Sequence, residues 1–293
     1  MTYKGIFEKA KKQAEEKLSK YYVQKGLMEE TALKKAQEKI EKLLKPAEKY
    51  NIKNASTRLT DVYVRLLLSC QNRYMMPNVI KFDNPDTEAR FKEILLNYNY
   101  EDIAKENSEE IFKEFAIKFG VKEGNEKDLW HSFAKSVVDG AKFMRRFKKV
   151  EDFRNMLESI SVCFPQSIAL PRLIGCEIYG MGEALACDFL KEIGCLEYAK
   201  PDEHIHFYIE KIINNFKNEE DKNYKKLTDK EVLEEAQKMA RDNGVTAFEM
   251  DKILWLVASG KYYDPDGEEP MIKIKNYNNE LRNEFLKIIE SVY

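Results

Sequence analysis

Two features of the sequence have residue types and spacing that could do chemistry. The first is Ile178-Tyr179-Gly180-Met181-Gly182. The second is Asp202, twenty residues past Gly182 and directly after Pro201. The glycine pair frees the backbone for positive φ and close approach, so the stretch reads as a tight turn between two helices. The helix after it is apolar at Leu185, Phe189 and Ile193 and is closed by Gly194. Such a turn presents backbone N–H groups at a helix N-terminus, which suits a phosphate. Asp202 reads as the opening of a further helix, because Pro201 is favoured at a helix start. The helix dipole and the first N–H groups favour negative charge there. An ionised carboxylate so placed can stabilise a developing cation and orient a water. It can equally be a plain N-cap, which stabilises a helix by about 0.5–2 kcal/mol.

The elements that must position these residues are helical. Apolar residues recur at helical spacing over 4–24 and 28–49, broken at Gly26, which predicts a helical hairpin with a Lys-rich outer face. Leu59, Val62, Tyr63, Leu66 and Leu67 predict a buried helix that ends near Cys70 to Arg73, since Pro77 disfavours helix at Met76. Gln71, Asn72, Arg73 and Tyr74 then sit at a helix end, free to project or simply to cap. Further helices are predicted from Asn84-Pro85-Asp86, over 103–119, 127–147 and 151–161, and Pro165 marks the turn towards the glycine stretch. Beyond Asp202, apolar positions continue one helix to Phe216, and the charged run 217–226 reads as a loop. The capping boxes Thr228-x-x-Glu231 and Thr246-x-x-Glu249 open helices at 229–242 and 247–259. Asp264-Pro265-Asp266-Gly267 reads as a turn, and 277–292 as a terminal helix. Strand signals are almost absent, so the predicted class is all-α.

Composition narrows the function classes. The 293 residues are 34% charged and 43% hydrophobic, ordinary for a soluble globular chain that can bury a core without staples. No run of 18 apolar residues and no signal-peptide core occur, which predicts a cytoplasmic protein off the membrane. Cys70, Cys163, Cys176, Cys187 and Cys195 are odd in number and scattered, which argues against disulfides and against a zinc or iron-sulfur set. Three histidines without carboxylates at metal spacing argue against a transition-metal centre. Net charge is −2, mild evidence against a nucleic-acid binder. Residues 1–82, however, hold 18 Lys and Arg against 9 Asp and Glu, leaving 31 against 42 for the remainder. That asymmetry fits either a basic face or a solvated helical surface.

Taken together, the chain resembles the helix-hairpin-helix (HhH-GPD) DNA glycosylases, and among them the 8-oxoguanine-glycosylase-like members more than the iron-sulfur ones. Ile178 to Gly182 matches the family's hairpin, and Asp202 falls at its catalytic position. Leu66-Leu67-Leu68-Ser69-Cys70-Gln71-Asn72 is similar to the helix end that enters the duplex, and Glu249 to Trp255 is similar to a late helix of the second lobe. The resemblance spans roughly 58 to 260. It implies a two-lobed fold, with one lobe over 58–195 and the other combining 1–57 with 196–293. It also implies a monomer acting on duplex DNA with a damaged or modified base. Asp202 would be the electrostatic and general-base residue, and Gly180, Met181, Gly182 and His204 would hold the backbone. Gln71, Asn72, Arg73 and Tyr74 would enter the duplex and read the opposite base. Trp130, Phe133 and Phe207 would be candidate walls of a base pocket near Asp202. No cofactor is required, although the carbonyls of Cys176, Ile178 and Met181 could hold a monovalent or alkaline cation.

The lyase-type relatives place a lysine two residues past the second glycine, where this chain has Ala184. That departure implies hydrolysis without strand cleavage, unless Lys191 or Lys200 supplies a displaced amine. The base stays open among an oxidised purine, an alkylated purine, a mispaired base and a hypermodified base. The alternatives to an enzyme are a non-catalytic helix-hairpin-helix DNA-binding protein, and a helical interaction module built on the N-terminal helices.

Overall fold

The computed structural model describes residues 3–74, 76–82, 84–163, 168–217, 221–263, 271–274 and 280–290. It is predominantly helical and divides into two compact units. One is continuous, Ala47–Cys195, and the other is split, Met1–Pro46 with Leu196–Tyr293. Among the described residues no helix is long and apolar enough to cross a membrane.

The split unit begins with α1 (Ile6–Gln24) and α2 (Glu29–Leu43), an antiparallel pair whose buried faces include Ala10, Ala14, Leu18, Ala36 and Ile40. α2 ends six residues before the expected 49, because Pro46 disfavours helix at Lys45. The continuous unit holds α3 (Leu59–Gln71), α4 (Met76–Val79), α5 (Pro85–Ile94), α6 (Tyr100–Ile103) and α7 (Ser108–Phe119). It continues through α8 (Asn125–Met144), α9 (Val150–Cys163), α10 (Ala169–Glu177) and α11 (Glu183–Glu192). The single helix expected over 103–119 is two, since Asn107 caps α7 by accepting the Glu109 N–H. The chain then returns to the split unit with α12 (Glu203–Ile213), α13 (Asp229–Asp242), α14 (Ala247–Ser259), β1 (Lys261–Tyr263), β2 (Met271–Lys273) and α15 (Glu280–Glu290). The expected turn at Asp264 to Gly267 and the turn at Pro165 lie outside the described residues.

Residues 47–57, grouped above with the N-terminal helices, belong instead to the continuous unit. The Ile52 N–H donates to Ile193 O at 3.0 Å, and Thr57 Oγ1 donates to Asn51 O at 2.8 Å. The core of this unit is aromatic. Trp130 stacks on Phe91 and Phe119 with centroids 6.0 and 4.8 Å away, and Phe133 meets Phe82 and Phe115 at 5.7 and 6.0 Å. Ring pairs at such distances add about 0.5–1.5 kcal/mol beyond their buried area.

In the split unit the capping boxes at Thr228 and Thr246 both close. Asn243 Nδ2 donates to Tyr3 O at 2.8 Å and Tyr262 OH to Ala14 O at 3.0 Å, tying the start of the chain to its end. The short β1–β2 ladder was not expected. Its triplets bury one residue each, Tyr262 and Ile272, too few for a period-2 pattern to stand out.

A polar knot fixes the segment after α12. Glu210, buried on α12, accepts the Leu227 N–H at 3.0 Å, and its carboxylate lies 3.3 Å from His206 Nδ1. His206 Nε2 lies 2.9 Å from Asp229 Oδ1 at the start of α13. The Asp229 contact, then that of Glu210, outweighs burial and raises the His206 pKa above its ordinary 6.5. Burial alone would raise Glu210, but the Leu227 N–H, His206 and Lys226 together carry it downwards. The histidine's contribution to stability is therefore fully present below pH 6.5 and lost as pH rises through its raised folded value. His206→Gln is expected to narrow the difference in melting temperature between pH 6 and pH 8.5, measured by calorimetry. Equal losses at both pH values would contradict it.

Candidate functional site

α10 and α11 are joined by residues 178–182, and the turn is set by backbone geometry. Ile178 leaves the helix at φ −124°, ψ 120°, and the Met181 N–H donates back to Ile178 O at 3.1 Å. Gly180 is left-handed at φ +73°, and a Cβ there would collide with the Arg73 guanidinium. Gly175, on α10, is equally constrained, since its Cβ would sit 2.7 Å from Met181 O. The sequence reading missed it. The signal was a glycine inside a helical pattern, which marks close backbone approach.

Gly182 corrects the expectation of a second positive φ. It is the N-cap of α11 with φ −81° and ψ 178°, an extended conformation open to any residue. No side chain caps this helix, and a Cβ on Gly182 would meet nothing within 4 Å. A side chain at Gly182 would meet no internal neighbour, so the constraint the glycine serves is not internal packing. Arg172 of α10 pairs with Glu183 at the first position of α11, bracing the two helices beside the turn.

Tyr179 is held at the turn on several sides. Ser136 Oγ donates to its carbonyl at 2.7 Å and its N–H donates to Asp139 Oδ2 at 3.2 Å, both from α8. The Arg73 guanidinium and the Lys135 ammonium lie 5.7 and 5.0 Å from its ring centroid. α3 reaches the same place through a buried carboxylate. Asp188 on α11 receives Arg65 Nη2 at 2.9 Å, Ser69 Oγ at 2.8 Å and Asn72 Nδ2 at 3.3 Å.

That network sorts the four residues expected to enter a duplex. Gln71 is 3% exposed and turned inward, Asn72 is exposed but bonded to Asp188, and Arg73 lies on Gly180 and Tyr179, where it supports the turn. Tyr74 differs from them, being 89% exposed with φ +40°, a backbone region costly for a side chain of its size.

Asp202 is in the split unit, where it is the N-cap of α12. Its Oδ1 accepts the N–H groups of His204 at 3.0 Å and Ile205 at 3.2 Å, and Lys200 Nζ lies 4.0 Å from Oδ2. Asp251 of α14, buried at 3%, accepts the Lys200 N–H at 3.0 Å and so anchors the segment that delivers Asp202. Sequence reasoning gave this aspartate no role, although an acidic residue inside the apolar stretch of α14 was the available signal. His204 sets its ring edge-on to Trp255 at 6.5 Å.

Trp130 and Phe133, expected as pocket walls, are 3% and 0% exposed inside the aromatic core, and neither has a face free for a base. Phe207 is half-buried, edge-on to Tyr208 at 5.4 Å. Of the two lysines considered as displaced amines, Lys191 is buried, 3.0 Å from Glu192 and 3.9 Å from Asp188. Lys200 is the one that adjoins Asp202. His131 pairs with Glu109 on the surface of the continuous unit. Cys70, Cys187 and Cys195 are buried free thiols, while Cys176 is exposed at the end of α10. Among the described residues no three His, Cys, Asp or Glu side chains cluster as a metal site.

No protein-family model, no curated protein and no solved structure matches the chain. What the site can do is therefore argued from its own geometry: an uncapped helix N-terminus with open space above it, beside a rigidly held aromatic ring.

The two glycines of the turn should respond differently to substitution. Gly180→Ala must hold a side chain at φ +73° against Arg73 and is expected to cost about 1–2 kcal/mol. Gly182→Ser installs a good N-cap and should leave the melting temperature unchanged or slightly raised. The serine nonetheless closes the open space and should weaken binding of a phosphate-bearing ligand. Denaturation and binding curves on the two variants check this, and equal destabilisation by both would contradict it.

Proposed function

We propose that the protein is a DNA glycosylase of the helix-hairpin-helix type, hydrolysing the N-glycosidic bond of a damaged or modified base in duplex DNA. The observation that carries this reading is the order of two helix N-termini along the chain. α11 opens on an uncapped glycine with open space over it, and α12, twenty residues later, opens on a carboxylate. Uncapped N–H groups suit a phosphodiester oxygen, and such contacts position a strand without reading its sequence. In this reading Gly180 and Gly182 clamp the backbone, Met181 shapes the turn because its N–H is taken by Ile178 O, and His204 adds a contact beside Asp202.

Cleavage of the bond builds positive charge on the sugar. Asp202 accepts two backbone N–H groups at Oδ1, which fixes the carboxylate, and Oδ2, 4.0 Å from the Lys200 ammonium, is the oxygen that would face that charge and orient the water. Ala184 offers no amine, so the expected product is an abasic site in an intact strand. Flipping a nucleotide leaves a gap in the stack. Tyr74, exposed and held away from the turn's own support, is the side chain suited to fill it. The same reading would put a monovalent or alkaline cation on the carbonyls of Cys176, Ile178 and Met181, of which Ile178 O already accepts the Met181 N–H.

A second reading, a non-catalytic helix-hairpin-helix DNA-binding protein, is favoured by one observation. N-capping of α12 by itself accounts for Asp202. One experiment separates the two. Free bases released from DNA bearing mixed lesions and natural modifications are measured by mass spectrometry for wild type and Asp202→Asn. Asparagine caps a helix as well as aspartate, so the fold should persist. The glycosylase reading expects release by wild type and a loss of about 100-fold or more in the variant. Undiminished release by Asp202→Asn would overturn the role of Asp202, and DNA binding with no release by either protein would favour the second reading.

A further inference from the structure

Beside the turn, the continuous unit has a surface cavity of about 470 Å³. Its walls are Tyr179, the α8 residues Lys135, Asp139 and Lys142, and the segment from Lys105 to Ser108 that leads into α7. Three lysines face two carboxylates, those of Glu106 and Asp139. Asp139 is already engaged by the Tyr179 N–H at 3.2 Å, and Lys105 by Asp102 at 2.7 Å. Lys135 and Lys142 make no ion pair among the described residues, whereas Lys113 and Lys118 of α7 pair with Glu110 and Glu93. After the His131 hydrogen bond, Lys135 also helps hold the Glu109 carboxyl down, but neither ammonium is taken up in an ion pair among the described residues, so both attract an anion entering the cavity.

The two lysines share one face of α8. Lys135 adjoins the ring of Tyr179 at 5.0 Å, and Lys142 stands seven residues farther along α8, about 10.5 Å at 1.5 Å per residue. Seven residues are close to two helical turns, so both side chains lie on the same side of α8 and line the same cavity. The wall between them is rigid, because Ser136 and Asp139 hold both backbone polar groups of Tyr179. We propose that this cavity is a second phosphate subsite, in which Lys135 and Lys142 hold the backbone of the strand as it runs on from the turn. The proposal rests on the reading of the protein as a duplex-binding glycosylase and adds the path of the strand.

The test is the salt dependence of binding to an undamaged 20-base-pair duplex between 50 and 200 mM salt, for the full chain. Each phosphate contact contributes about 0.9 to the slope of log affinity against log salt. Lys135→Ala with Lys142→Ala is expected to lower the slope by about 1.8 and Lys142→Gln alone by about 0.9, while Lys113→Ala with Lys118→Ala retains the wild-type slope. Lys142 is exposed and unpaired, so its variant tests the idea even where the double variant folds poorly. A wild-type slope in both groove variants would overturn the subsite while leaving the glycosylase reading standing. No duplex binding by wild type would overturn both. Inorganic pyrophosphate is the remaining arm: pyrophosphate binding that the groove substitutions abolish, with the duplex slope unchanged, would assign the cavity to a free phosphate ligand and overturn the proposal.

Discussion

The continuous unit is organised around one buried carboxylate. Asp188, 5% exposed on α11, takes a guanidinium hydrogen bond from Arg65, a hydroxyl from Ser69 and an amide from Asn72. Lys191 adds its charge from one turn away. A buried ion pair gains little over an apolar pair of the same volume, but losing one partner typically costs about 3–5 kcal/mol, because the other charge is left unmatched. The consequence here is geometric. Locking the last two turns of α3 to α11 fixes where α3 ends, and that end sends Arg73 onto Gly180 and Tyr179. Arg73 in turn leaves no room for a side chain at Gly180. The shape of the turn therefore follows from a charge pair made by residues 123 positions apart.

Both chemically suggestive positions also have structural work. Gly180 satisfies a left-handed backbone, and Asp202 satisfies two N–H groups of α12. Neither fact opposes function, since a carboxylate fixed by its first oxygen is better oriented for its second than one free to rotate. Gly182 differs. Neither φ nor packing requires a glycine there, so a side chain at Gly182 would be accommodated by the turn itself.

Much of this was legible in the sequence because it is local. The helical class, the turn between α10 and α11, the N-cap at Asp202 and the capping boxes at Thr228 and Thr246 follow from spacing and backbone rules that act within one helical turn. What was not legible depends on which surfaces meet. Trp130 and Phe133 recur at the same period whether they line a pocket or fill a core, and only their packing on Phe91 and Phe115 decides it. The pairing of Asp188 with Arg65 joins segments with no common pattern. The lysines of the groove come from residues 105–142, in the part of the chain whose overall balance is acidic, so summed charge pointed away from them. Gly182 was misread because a glycine in a turn suggests positive φ, while an N-cap position takes an extended one.

The glycosylase reading sets a phosphate of duplex DNA against the uncapped N-terminus of α11. The most direct measurement is titration of the isotopically labelled protein with an undamaged duplex, following backbone amide resonances. The account predicts the largest shifts at Gly182, Glu183 and Ala184, with the amides of the aromatic core around Trp130 unmoved. Saturable binding that leaves those three amides unshifted would contradict it.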